Sequence, residues 1–76
     1  MKYKAHVEIG YRMVDELYRL YPNMSDRWLA RMLGCSPTMI TAWKTGVTPS
    51  ANYIAALFHM GGDVIWILTG GSRDGE

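Results

Sequence analysis

Apolar side chains recur along this chain at helical spacing, and small or turn-forming residues separate one run from the next. Met13, Val14, Leu17, Tyr18, Leu20 and Tyr21 repeat at a period near 3.6, which predicts a first helix over roughly residues 11–21, closed by Pro22 and Asn23. The stretch before it carries two patterns at once. Tyr3, Ala5, Val7 and Ile9 alternate with Lys2, Lys4, His6 and Glu8 as in a strand, yet Ala5, Ile9, Met13 and Leu17 also share one helical face. Gly10 weakens a helix there by about 1 kcal/mol against alanine. Helix is slightly preferred over residues 1–9, because a lone strand in a helical domain has no ladder partner unless a second subunit supplies one.

Leu29, Ala30 and Leu33 give a short second helix its inward face, with Ser25 as N-cap and Gly34 as the stop. Ser36 as cap and Pro37 at the first helical position open a third helix, whose Ile40 and Trp43 point inward and which Gly46 ends. Thr48-Pro49 then turns into a fourth helix capped by Ser50. Its expected inward face is Ile54, Leu57 and Phe58, Ala51 and Ala55 add close contact, and Gly61-Gly62 stops it. Asp63 caps a fifth helix over 64–68 that is apolar around nearly its whole circumference and is therefore expected to be buried on two sides; Gly70-Gly71 terminates it. The prediction is an all-α fold, a compact bundle of five short helices in one domain over residues 1–71, with 72–76 as a flexible tail or the start of a linker.

The segment 26–46 has the spacing of a helix-turn-helix: two short helices crossing over the small Ala30, with a turn at Gly34. Such a unit lays its second helix in the major groove of duplex DNA. With Ile40 and Trp43 inward, the helical period turns Pro37, Thr38, Thr41, Ala42 and Thr45 outward, and these are the candidate base contacts. Threonine hydroxyls can donate to or accept from base edges, and threonine and alanine methyls can pack on thymine. The set has no Arg or Gln for bidentate readout, so part of the specificity is left to DNA shape and dimer spacing. A plain solvated helix face would favour Lys, Glu or Gln at those positions. No acid occurs between Arg27 and Ile54 to repel phosphate.

Candidate phosphate contacts are Ser25, Arg27, Ser36, Lys44, Thr48, Ser50 and Asn52, at helix starts or in the loop after the third helix, with Lys44 and Asn52 foremost. Arg31 has an equal claim as an intramolecular partner of Asp15 or Glu16. Trp43 and Trp66 sit on apolar faces and read as core, whereas Trp28 fits a subunit contact.

Composition changes this picture in three ways. The chain is 49% hydrophobic and only 20% charged over 76 residues, rich enough that a second subunit is expected to cover apolar surface. A homodimer is therefore expected, seated on Val64, Ile65, Ile67 and Leu68 together with Tyr and Val residues near the N-terminus. A net charge of +1 is no basic excess, so a DNA expectation rests on arrangement. The small size leaves no room for an enzyme cleft plus scaffold, and Ser36 lacks base and acid partners, so no enzymatic activity is expected. His6, His59 and the lone Cys35 are too scattered to ligate a metal, and no cofactor is expected. The single cysteine, the lack of a leader-like N-terminus and the shortness of the apolar run 64–68 point to a cytoplasmic protein with no membrane partner.

LARMLGCSPTMITAWKTGVTPSANYIAAL followed by GGDVIWILTG closely resembles the N-terminal DNA-binding domain of temperate-phage CI-type repressors and the wider lambda-repressor-like class. The likeness runs from about residue 25 to residue 71. It rests on Trp43-Lys44 ending the third helix together with the Trp-Ile-Leu-Thr-Gly ending at 66–70. The resemblance implies a five-helix domain that binds a pseudo-palindromic operator as a dimer and controls transcription of phage or prophage genes. The family's base-contacting positions fall on Pro37, Thr38, Thr41, Ala42 and Thr45. Family members often have a polar side chain where Pro37 stands. Full repressors of this group continue into an oligomerisation domain, so the chain reads as a fragment of one or as a small stand-alone regulator. The competing expectations are a protein-interaction module for an antirepressor or toxin, and an antitoxin or restriction-modification controller using the same fold.

Overall fold

In a computed structural model of the chain, residues 5–71 are described. They form α1 (Ala5–Leu20), α2 (Asp26–Leu33), α3 (Pro37–Lys44), α4 (Ala51–His59) and α5 (Val64–Thr69), with no strand among the described residues. The first helix thus takes in the doubly patterned stretch from Ala5 onward. Residues 1–4, and the expected tail at 72–76, lie outside the described residues. No helix is long and apolar enough to cross a membrane.

Local chemistry accounts for most helix ends. Ser25 Oγ accepts the Trp28 N–H at 3.1 Å and Asp63 Oδ1 accepts the Trp66 N–H at 3.0 Å, so each caps an otherwise orphaned amide. Ser36 and Ser50 hold the extended backbone of an N-cap but make no capping bond. At the other end of α2, Gly34 takes φ +83°, and the Cys35 N–H reaches back to the Ala30 carbonyl at 2.9 Å. That closure requires a left-handed residue, which glycine adopts without strain. The helices α3 and α4 end with the same bond pattern, Val47 N–H to Ala42 O at 3.1 Å and Gly62 N–H to Leu57 O at 2.9 Å.

The core draws on every helix: Met13, Val14 and Leu17 from α1, Leu29, Ala30 and Leu33 from α2, Ile40 and Trp43 from α3, Leu57 from α4 and Ile67 from α5. Burying each of the larger side chains contributes roughly 1.5–3 kcal/mol. The helix α1 packs against α3 and α5, and α2 against α3 and α4. Gly10 finds its reason here. It is buried, and a Cβ at that position would stand 2.7 Å from the Trp43 carbonyl oxygen and closer still to that of Val47. The residue that weakens α1 locally is the one that lets α1 touch the end of α3.

Two polar side chains one turn apart on α1 grip α5. Glu16, fully buried, accepts the Asp63 N–H at 2.7 Å just ahead of α5 and is paired with Arg19 Nη2 at 2.6 Å. Arg12 Nε donates to the Ile67 carbonyl at 2.8 Å near the far end, while its Nη1 pairs with Glu8 at 2.9 Å. Anion at the N-terminus and cation at the C-terminus complement the partial charges of a helix.

Three sequence expectations are corrected. Phe58 does not face inward: it is 60% exposed, and Leu57 alone of α4 is fully buried. The fifth helix is not buried on two sides, since only Ile67 is fully buried while Ile65 is 70% and Leu68 38% exposed. Ile67, expected at a subunit contact, is fully buried within its own chain. The physical reason is size. A helix of six residues laid along α1 has one face to give to the core, and α4 beside it covers no second one. Trp66, expected as core, is half-buried and packs against the core.

Candidate nucleic-acid interface

The candidate interface is built on α3, whose inward anchors, Ile40 and Trp43, are both fully buried. Trp43 leans on Tyr53 with ring centroids 5.6 Å apart, and its buried Nε1 has no hydrogen-bond partner among the described residues. This ring is packing material with no face left for a base. Trp28 lies against Tyr21 at 5.4 Å in the same manner.

With those anchors inward, Pro37, Thr38, Thr41 and Thr45 are exposed, and Ala42 is half-buried. The hydroxyls are not equivalent. Thr41 Oγ1 donates to the Pro37 carbonyl at 3.3 Å and Thr45 Oγ1 to the Ala42 carbonyl at 2.7 Å. Their protons are therefore turned to the helix, and what they offer outward is an acceptor oxygen and a methyl group. Thr38 makes no such bond and keeps both roles.

The expected phosphate contacts separate into two kinds. Ser25, Arg27, Ser36, Thr48, Ser50 and Asn52 are exposed, with Ser25 already engaged as a cap. Lys44 stands apart from them. Its Nζ lies 2.7 Å from Asp26 Oδ2 and 5.5 Å from the centre of the Tyr18 ring, while the Tyr18 hydroxyl donates to Asp26 Oδ1 at 2.7 Å. Both partners shift in the sense of a mutual ion pair. The hydrogen bond from Lys44 holds the Asp26 carboxyl below its usual range, against a smaller opposing effect of burial, and the bond to Asp26 raises the Lys44 ammonium well above its own. The side chains remain 40% and 30% exposed, so the pair is a surface one, and such pairs are individually weak.

Arg31 goes the other way. Neither Asp15 nor Glu16 engages it, and Glu16 is taken by Arg19 and Asp63. Arg27 and Arg31 stand one turn apart on α2, both exposed and neither ion-paired with any described residue. Sequence reasoning underrated Arg31, although its i,i+4 spacing from Arg27 was a usable signal. It also missed Asp26, which lies one residue before the acid-free stretch that begins at Arg27.

Between them, α4 and α5 leave an open apolar groove of about 370 Å³ lined by Ala51, Ile54, Ala55, Phe58, Val64 and Leu68. Of the residues expected at a dimer contact, Val64 and Leu68 line this groove, and Ile65 is exposed without lining it. Cys35, half-buried in the turn between α2 and α3, has its thiol pushed up by burial, away from reactivity. Compared with known proteins, the chain matches no family model, no curated protein and no solved structure.

Proposed function

We propose that the chain is a sequence-specific duplex-DNA-binding regulator of transcription, a repressor acting as a homodimer, in which α2 and α3 work as a helix-turn-helix with α3 entering the major groove. The observation that carries this reading is the surface of α3. It presents Thr38 and Thr41, with Thr45 at its C-cap, and no acid, and the helix packed against it bears two arginines, Arg27 and Arg31, that pair with no acid among the described residues. Small acceptor and methyl groups read base edges in the groove, and guanidinium groups beside them neutralise phosphate. The apolar α4–α5 face supports the dimer. A two-fold pair would present both copies of α3 to one side of the duplex, with half-sites about one helical turn apart.

The test is selection of binding sites from a random duplex library, followed by anisotropy titrations at several salt concentrations. Wild type should prefer the selected site over scrambled duplex, and Thr38→Ala with Thr41→Ala should narrow that preference by about 1–3 kcal/mol per lost base contact. Arg27→Gln and Arg31→Gln should each flatten the slope of log K against log salt by about 0.9. Equal affinity for selected and scrambled duplex would sink the specific-recognition reading. The apolar groove favours a second reading, a protein-interaction module. A partner seated there would bind with little salt dependence.

A further inference from the structure

We propose that Asp26 is a built-in competitor for Lys44, so that Lys44 can serve a DNA phosphate only by exchanging one anion for another. This rests on the DNA-binding reading of α2 and α3. Asp26 is the one acid between Glu16 and Asp63, and Lys44 is the one base of α3. They meet across 18 residues of sequence at 2.7 Å. The carboxylate is not free to swing away, because the Tyr18 hydroxyl holds its second oxygen at 2.7 Å while the Tyr18 ring lies 5.5 Å from the Lys44 ammonium. Three helices thus contribute one group each to a closed polar cluster. A carboxylate and a phosphodiester offer the same charge and similar acceptor oxygens, so a phosphate that takes Lys44 gains an ion pair and destroys one. Lys44 then contributes almost nothing net to affinity, in contrast to Arg27 and Arg31, which have no anion to surrender among the described residues. Asp26 is in this sense a residue that sets affinity without touching DNA.

A double-mutant cycle on the whole chain tests the exchange, with a mixed-sequence duplex as probe, anisotropy as readout over 50–200 mM salt, and circular dichroism confirming that each variant is folded. Asp26→Asn should tighten binding up to about fivefold, the range set by a surface ion pair, and steepen the salt slope by about 0.9 as Lys44 gains a phosphate of its own. Lys44→Gln alone should leave the slope nearly unchanged, and in the Asp26→Asn background it should erase the gain. A gain that persists in the Lys44→Gln background would mean that Asp26 acts only through general repulsion of DNA, and the competitor role falls. Lys44→Gln alone flattening the slope by a full phosphate also overturns it, since Lys44 would then reach DNA unhindered. Acylation of the Lys44 amine in the DNA-free protein gives a readout independent of binding. The amine should react faster in Asp26→Asn, and equal rates would contradict the latch. Absence of any salt-dependent duplex binding by wild type would remove the DNA reading together with the competitor role, whereas binding with a flat cycle removes the competitor role alone.

Discussion

Gly10→Ala sets two known effects against each other. In an ordinary helix interior the substitution stabilises by about 0.8–1.0 kcal/mol, because alanine loses less backbone freedom on folding. At this site the added methyl meets the carbonyl oxygens of Trp43, at 2.7 Å, and of Val47, nearer still, with the Trp43 Cα at 3.3 Å. All three are backbone atoms, so no rotamer change relieves them, and α1 must back away from the end of α3. Overpacking of this kind costs about 1–3 kcal/mol, and rigid obstacles place it toward the upper end. The net expectation is a loss of about 1–2 kcal/mol, large in a chain whose total stability by size is about 4–11 kcal/mol. Urea unfolding followed by far-ultraviolet circular dichroism checks it. With an m-value of about 1 kcal/mol/M the midpoint should fall by about 1–2 M. A Gly10→Ala protein with a midpoint at or above wild type would refute the close approach of α1 to α3.

Further substitutions probe three other links. Glu16→Ala should destabilise by about 1–3 kcal/mol in the same assay, because the Asp63 N–H loses its acceptor, while Glu16→Gln keeps an acceptor and should cost less; equal losses would point away from the anchor. Ile65→Lys should leave the fold intact and shift sedimentation equilibrium toward monomer, whereas Ile67→Lys should abolish cooperative unfolding, since Ile65 is 70% exposed and Ile67 fully buried. The Asp26 carboxyl is held below its unfolded value of about 3.9, so the unfolded chain binds more protons in acid. Its contribution to stability is therefore present above about pH 4 and lost as pH falls through the lowered native value. Wild type should exceed Asp26→Asn by up to about 1 kcal/mol at pH 7, and the difference should shrink as pH falls below about 4; a difference that stays constant into acid would contradict the pair.

What was legible in the sequence was local. Ser25 and Asp63 cap their helices within three residues, and Gly34 closes α2 by bonds spanning five, so spacing alone locates them. The outward positions Pro37, Thr38, Thr41 and Thr45 follow from Ile40 and Trp43 by the helical period, and Ala42 misses only because it sits at the margin of that face. What was not legible depends on how one helix meets another. A helix that is apolar all round has no pattern to say that Ile67 and not Ile65 faces the core; contact with α1 decides it. Phe58 matched the inward spacing of α4, but it lines the open groove between α4 and α5 and stays 60% exposed. No local rule joins Lys44 to Asp26 across two helices, and none reads Gly10 as a point of backbone contact.

The grip of Arg12 and Glu16 on α5 has a metrical side. A helix of six residues has no independent stability in water, so α5 holds its place through Ile67 and through two polar side chains whose residues stand four apart, about 6 Å of rise, on α1. Sliding α5 along α1 by even one residue would break both bonds at once, which makes its position discrete. If two copies join through the α4–α5 face, the separation of their α3 helices is measured out on α1, at a distance from both the interface and the groove. Half-site spacing would then be a property written into Arg12 and Glu16, and a change at either would be felt as a change in which operators fit.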